Sequence, residues 1–364
     1  MKVLQMTSAL DGGGIERILF DYYAHMDHDQ VQFDFVKVDP EEGILEKPLR
    51  EMGCHIYAIP PMRQNHKEYC EILTRILQEG QYDVIHCNGG YRAAEALRIA
   101  KKAGVPMRLA HAHTAGGPET SVQKLERKIA TMFVKHYATH LFGCGEMAAK
   151  WMWGAGAISG QKATVVHNAI RTERFRYDPL VRAQYRRELD LEGKFVLGHV
   201  GRLSFPKNHE FLLRAFAEAV KKSPDLVLLL IGRGELEAEV VHQIEALHLQ
   251  NHVRLMGVRD DIPQLLNALD LFVMPSRWEG LPVALVEVQA NGLPALVSDT
   301  VTQEIQINEN VKYLPLEEGV WANEMSEAQE NRISDGAERV KMAGYDIQTE
   351  AAKLQGMYFT PDWR

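Results

Sequence analysis

The chain has 364 residues, more than one compact core usually holds, so two domains are expected. Its 46% apolar and 25% charged content excludes disordered and fibrous classes, and a net charge of -8 argues against a nucleic-acid partner. The four cysteines, Cys54, Cys70, Cys87 and Cys144, form no CxxC pair. They point to free thiols in a reducing compartment, not to a zinc site or a disulfide framework.

The first residues, MKVLQMTSALDGGG, open directly on a strand without the layout of a secretory leader. No run nears the roughly 18 apolar residues of a membrane span. The expectation is a cytoplasmic protein, at most peripheral at the inner membrane face. Short β-branched or apolar runs follow: KVLQM, FDFVKV, DVIHC, MRLAHA, THLFGC and ATVVHN. They alternate with longer amphipathic stretches such as AAEALRIAKKA. That alternation predicts a parallel sheet covered by helices on both faces. The texture then changes to RTERFRYDPLVRAQYRRELDLEGK, which is charged and has no clear buried strand. Alternation resumes with FVLGHV, DLVLLLIG, VRLMG, DLFVMPS and PALVS. The predicted division is a Rossmann-like domain over 1–170, a connection over 171–194, a second Rossmann-like domain over 195–345, and a C-terminal helix over 346–364 packing back toward the first domain. In doubly wound sheets ligands bind beyond the carboxyl ends of the strands, so a cleft between two facing halves is the expected site.

Four stretches carry candidate chemistry. In SALDGGGIERILF a strand ends, Gly12, Gly13 and Gly14 follow, and a helix begins. Glycines admit a ligand close to the backbone and a helix N-terminus favours an anion, although the GxGxxG dinucleotide pattern is not met. In GHVGRLSFPKNHEFLLRAF, Arg202 and Lys207 sit between a strand end and a helix start, a second anion site. The turn LIGRGELEAE, with Arg233, is a weaker signal of the same kind. In PSRWEGLPVALVEVQANGLP, Glu279 follows a strand, and Glu287 falls inside an apolar helix beside Val283, Val286 and Ala290. A carboxylate enclosed there needs hydrogen bonds from protein or from a ligand such as a polyol.

Together these features resemble the retaining glycosyltransferases of family 4, of the GT-B fold, and most of all those that build capsular and exopolysaccharides. The resemblance rests on Glu-x7-Glu, here Glu279 to Glu287, with Arg202 and Lys207 before it. It implies an α/β molecule of two doubly wound domains facing across a cleft, the first on the acceptor side and the second binding a nucleotide-sugar. Arg202 and Lys207 would then bind the donor diphosphate, with Gly13, Gly14, Gly280 and Leu281 beside it. Glu287 would accept from the ribose, Glu279 would touch the hexose, and Gly257, Val258 and Arg233 would flank the base. The family's histidine near the sugar is matched by His113 in RLAHAHTAG, two residues after His111. Glu279, His113, Arg202 and Lys207 are thus the catalytic candidates. Asn168, in VVHNAI, matches the asparagine of the family's PNG-like turn, whereas His167 stands for its proline and Ala169 for its glycine.

The implied reaction moves a hexose from a nucleotide-sugar, a UDP-sugar by preference, to a saccharide or lipid-linked saccharide hydroxyl, with no metal and no cofactor. The single Asp-x-Asp match, Asp27-His28-Asp29, reads as a solvated turn. The helix SVQKLERKIATMFVKHY carries a stripe of Val122, Leu125, Ile129, Met132, Phe133 and His136, with Lys124, Arg127, Lys128 and Lys135 elsewhere. It is either a core-packed helix or a surface for an anionic membrane. Two other readings are a UDP-N-acetylglucosamine 2-epimerase-like enzyme and a non-catalytic partner that binds sugar nucleotides.

Overall fold

The structure is a computed structural model and describes residues 1–114, 116–117 and 119–360. The chain divides into two compact units. One comprises Met1–Ile170 with the returning segment from Ile347, the other Arg171–Asp346.

The first unit is built on seven strands: β1 (Lys2–Thr7), β2 (Gln32–Lys37), β3 (Ile56–Ala58), β4 (Val84–Cys87), β5 (Met107–Ala112), β6 (His140–Gly143) and β7 (Ala163–Val165). All pair in parallel, in the order β3-β2-β1-β4-β5-β6-β7. Strands β1 and β4 are buried almost throughout, as expected where helices cover both faces. The order reverses between β1 and β4, so their carboxyl ends diverge there and leave a crevice.

The second unit repeats the plan with β8 (Phe195–Val200), β9 (Leu226–Ile231), β10 (Val253–Gly257), β11 (Leu271–Met274), β12 (Ala295–Ser298) and β13 (Val311–Leu314). Its parallel order is β10-β9-β8-β11-β12-β13, with the reversal between β8 and β11. Each of the longer apolar runs is a strand, and the short β3 and β13 join them at sheet edges. An edge strand pairs on one side only, and neither reads as a buried apolar run: β3 has no fully buried residue and β13 carries the exposed Lys312.

Residues 171–194 are not a separate linker. They fold with the second unit through the helix Pro179–Glu188. There Arg182 and Arg186 reach the buried Asp270 carboxylate, Arg186 at 2.9 Å. Asp270 in turn accepts from the Val196 amide at the head of β8, 2.7 Å away. The charged texture of that stretch is therefore a docking face.

The helix Ile347–Tyr358 belongs to the first unit. Its first amide donates to Ile170 O at 2.9 Å, and Tyr358 is wholly buried, with the Gln5 amide donating to its hydroxyl at 3.2 Å. Residues 361–364 of the segment assigned to this helix lie outside the described residues.

Candidate functional site

In the second unit the turns after β8, β9 and β10 are laced side by side. Gly201 N donates to Ile231 O at 2.9 Å, Gly232 N to Gly257 O at 2.8 Å, and Leu203 N to Arg233 O at 3.0 Å. Glycine is required at 232, where φ is +137° and a Cβ would stand 2.1 Å from Gly201 O. Arg233 lies against Gly257, its Nε 3.6 Å from where a Cβ would be, and Val258 beyond it is exposed.

Lys207 closes a short 3-10 turn, Phe205–Lys207, that begins just after β8. Asn208 follows in the left-handed conformation, φ 61°, and its amide donates to Pro275 O at 3.1 Å. That bond ties the β8 turn to the end of β11. Lys207 Nζ then meets Glu279 Oε1 at 2.7 Å, and the Ser276 hydroxyl donates to the same oxygen at 2.7 Å. Two residues the sequence placed 72 positions apart thus form one partly buried ion pair. Arg202 points elsewhere: it is largely exposed and pairs with Glu235 at 3.0 Å. Beneath Lys207, His199 and His209 are buried and held neutral, first by desolvation and then by neighbouring charge, His209 at about 4 and His199 well below the usual imidazole range. Lys207 is therefore a cation over uncharged rings. Neither histidine nor Ser276 was singled out from sequence; the nearest signal was the GHVG run.

Gly280 and Leu281 lead into the helix Val283–Ala290, Leu281 being buried. Glu287 departs from the expectation of an enclosed carboxylate. Val283, Ala284 and Glu287 form the less buried side of that helix, and Glu287 is half-exposed. Its wholly buried polar residue is Gln289, which the sequence reading passed over. The Gln289 amide donates to Leu285 O and Ile305 O, and its carbonyl accepts from the amides of Ile307 and Asn308 at 2.8 and 2.9 Å.

In the first unit a cavity of about 510 Å³ opens at the carboxyl ends of β1, β4 and β5, lined by Ser8, Asn88, Gly90, Arg92, His113 and Trp151 among others. That volume suits a small-molecule ligand. His113 lies just past β5, its ring 4.0 Å from that of His111 and its Nε2 3.2 Å from Asn88 Oδ1. Desolvation pushes it down to about 4, opposed by a hydrogen bond with Asn168. Behind it, His86 bridges the Tyr358 hydroxyl at 2.9 Å and His111 at 3.3 Å.

The helix Gly14–Tyr23 starts beside this cavity, with Gly13 as its N-cap. Both Gly13 and Gly14 are exposed, but Glu16 folds back on the loop. Its Oε2 lies 2.5 Å from where a Gly13 Cβ would be, and the Thr7 and Ser8 hydroxyls approach its other oxygen at 3.4 and 3.5 Å. Burial, then Asp11, raises the Glu16 carboxyl. The glycines thus already admit the chain's own carboxylate. Asp27-His28-Asp29 is a turn, with Asp27 capping the amide of Asp29 at 3.0 Å.

The helix Ser121–Tyr137 is turned outward. Arg127, Thr131 and Val134 face the body, Arg127 held by Glu119 at 2.9 Å and by the Trp151 ring at 4.1 Å. Val122, Leu125, Ile129, Met132 and Phe133 are all exposed, Val122 at 75% and Met132 at 71%. No helix among the described residues is long and apolar enough to cross a membrane.

Two parallel-sheet, Rossmann-like units define an α/β protein of the doubly wound class, and comparison with known proteins says which. Residues 12–174 match the family model "Glycosyltransferase Family 4" and residues 181–347 match "Glycosyl transferases group 1". The chain belongs to these glycosyltransferases, with a family 4 domain followed by a group 1 domain, and it has the GT-B fold class. The putative glycosyltransferase EpsF of Bacillus subtilis is 27% identical over 98% of this chain and 96% of its own. An Escherichia coli enzyme, UDP-Gal:alpha-D-GlcNAc-diphosphoundecaprenol alpha-1,3-galactosyltransferase, is 26% identical over 79% of this chain and 76% of its own. The crystal structure of Anabaena HepE in complex with UDP-glucose shares the fold, with a TM-score of 0.82 at 22% identity, covering 98% of this chain and 99% of that one.

Proposed function

We propose that the enzyme moves a hexose, with retention at the anomeric carbon, from a UDP-sugar to a hydroxyl of a saccharide or lipid-linked saccharide. The observation that carries this reading is the Lys207–Glu279 pair, 2.7 Å apart at the carboxyl ends of β8 and β11. A fixed ammonium at a strand end stabilises the charge that grows on a departing diphosphate. Arg202, a short reach away along the same turn, adds a second cation by leaving Glu235. Glu279, steadied by Lys207 and Ser276, accepts from hexose hydroxyls. Glu287, on the open side of its helix, accepts from the ribose, and Arg233, Gly257 and Val258 flank the base. Gly280 and Leu281 hold the phosphate side. The cavity at His113 takes the acceptor, and the Gly13–Gly14 loop stands beside that cavity.

The leaving phosphate itself takes the acceptor proton, since no residue stands out as a covalent nucleophile. UDP, a galactosyl donor and a lipid diphosphate acceptor appear in the names of the relatives above, which supports a donor and acceptor of these classes. The outward stripe of the helix Ser121–Tyr137, with Lys124, Lys128 and Lys135 exposed beside it, supports a peripheral contact with an anionic membrane.

Incubation with UDP-sugars tests the reading by release of UDP. Release is expected, unaffected by EDTA, and lowered about tenfold or more in Lys207→Ala or Arg202→Ala, the loss of one charge-assisted hydrogen bond. Full activity in both variants defeats the phosphate assignment, and a product NMR spectrum with inverted anomeric configuration defeats retention.

A further inference from the structure

Away from the strand-end sites, three potential metal ligands converge on the first unit. His66 and Cys70 stand one turn apart on the helix His66–Gly80, and Glu95 faces them from the helix Ala94–Lys102. Cys70 Sγ is 3.7 Å from His66 Nε2 and 3.4 Å from Glu95 Oε1, and His66 Nε2 is 3.1 Å from the same oxygen. Zinc bonds of about 2.3 Å to sulfur and about 2.0–2.2 Å to nitrogen or oxygen place ligands about 3.3–3.6 Å apart at a tetrahedral centre. The three atoms therefore already form nearly one face of such a tetrahedron.

Glu95 is held from behind by Arg98, which donates to Oε2 at 2.7 Å and to Oε1 at 2.6 Å. A ligating carboxylate fixed by outer hydrogen bonds is the usual arrangement at metal sites. His66 is exposed and Cys70 half-exposed, so an ion has an entry path and water can complete the coordination.

We propose that His66, Cys70 and Glu95 bind a borderline-soft divalent cation of the zinc class. Binding exchanges the Cys70 thiol proton, released to solvent, for a metal–sulfur bond. The ion bridges two helices that carry the cavity wall, since Tyr69 lies between His66 and Cys70 and Ala93 and Ala96 bracket Glu95. It is a bracing site, separate from the donor chemistry.

The full chain, stripped with chelator and desalted, is titrated with Co2+ alone. One equivalent is expected to raise a thiolate-to-cobalt charge-transfer band in the near ultraviolet, which Zn2+ then abolishes. Cys70→Ser removes the band, whereas His66→Ala and Glu95→Gln each weaken binding by at least about tenfold. Circular dichroism shows that the variants fold. No band, a band that survives Cys70→Ser, or affinity unchanged in both His66→Ala and Glu95→Gln overturns the site.

Discussion

At Glu287 and Gln289, two residues of one helix, opposite kinds of burden fall on neighbouring side chains. Gln289 is wholly buried and fully paired, so its loss strands Ile305 O and the amides of Ile307 and Asn308 in a dry interior. Gln289→Ala is expected to cost about 2–4 kcal/mol and to lower the melting temperature, with UDP affinity per folded molecule unchanged. Glu287 is half-exposed, so Glu287→Ala is expected to cost under about 1 kcal/mol of stability while weakening UDP binding roughly tenfold. Melting curves and UDP titrations of both variants separate the two effects. A Glu287→Ala protein that binds UDP normally removes the ribose role. Apolar periodicity marks the helix but leaves open which of its two polar residues points inward. That depends on the 303–310 loop closing over Gln289, a contact with no local sequence signature.

Among the helices, Ser121–Tyr137 shows how far periodicity carries. A stripe of Val122, Leu125, Ile129, Met132 and Phe133 is legible at 3–4-residue spacing, but its direction is not. The stripe faces outward because Arg127 takes the inward place, neutralised by Glu119 and stacked on Trp151, residues that lie outside the helix. Contiguous exposed apolar side chains on a monomer mark an interaction surface. The chain is expected to sediment with anionic vesicles and not with neutral ones. Replacing Met132 and Phe133 together by Ser should reduce the bound fraction severalfold without lowering UDP release from a water-soluble donor. Equal sedimentation of the variant and its parent rules out the stripe as the contact. The longer strands were legible from their apolar runs and the strand-end glycines from their place after them. The edge strands β3 and β13 were not, because β3 has no fully buried residue and β13 is interrupted by the exposed Lys312, so neither forms a buried apolar run. Likewise, the Lys207–Glu279 pair was legible as two separate residues and not as a contact, which the Asn208 to Pro275 tie produces.

At the scale of the whole molecule the chain visits its first unit twice, and the second visit is structural. Tyr358 receives the Gln5 amide and bonds the His86 ring in a sealed interior, and its ring packs edge-on to Phe33 at 5.9 Å. Synthesis runs from one end, so the second unit is complete while Gln5 and His86 still lack their mate. The opening segment Met1–Ile170, nearly half of the polypeptide, must then wait, with a bare patch beside β1, until the final helix clears the ribosome. A fragment ending at Ile170 should accordingly be cut rapidly by protease, and a synthetic peptide spanning 347–360, added in trans, should protect it. A fragment that resists digestion unaided would show that this half matures without its late-arriving clasp.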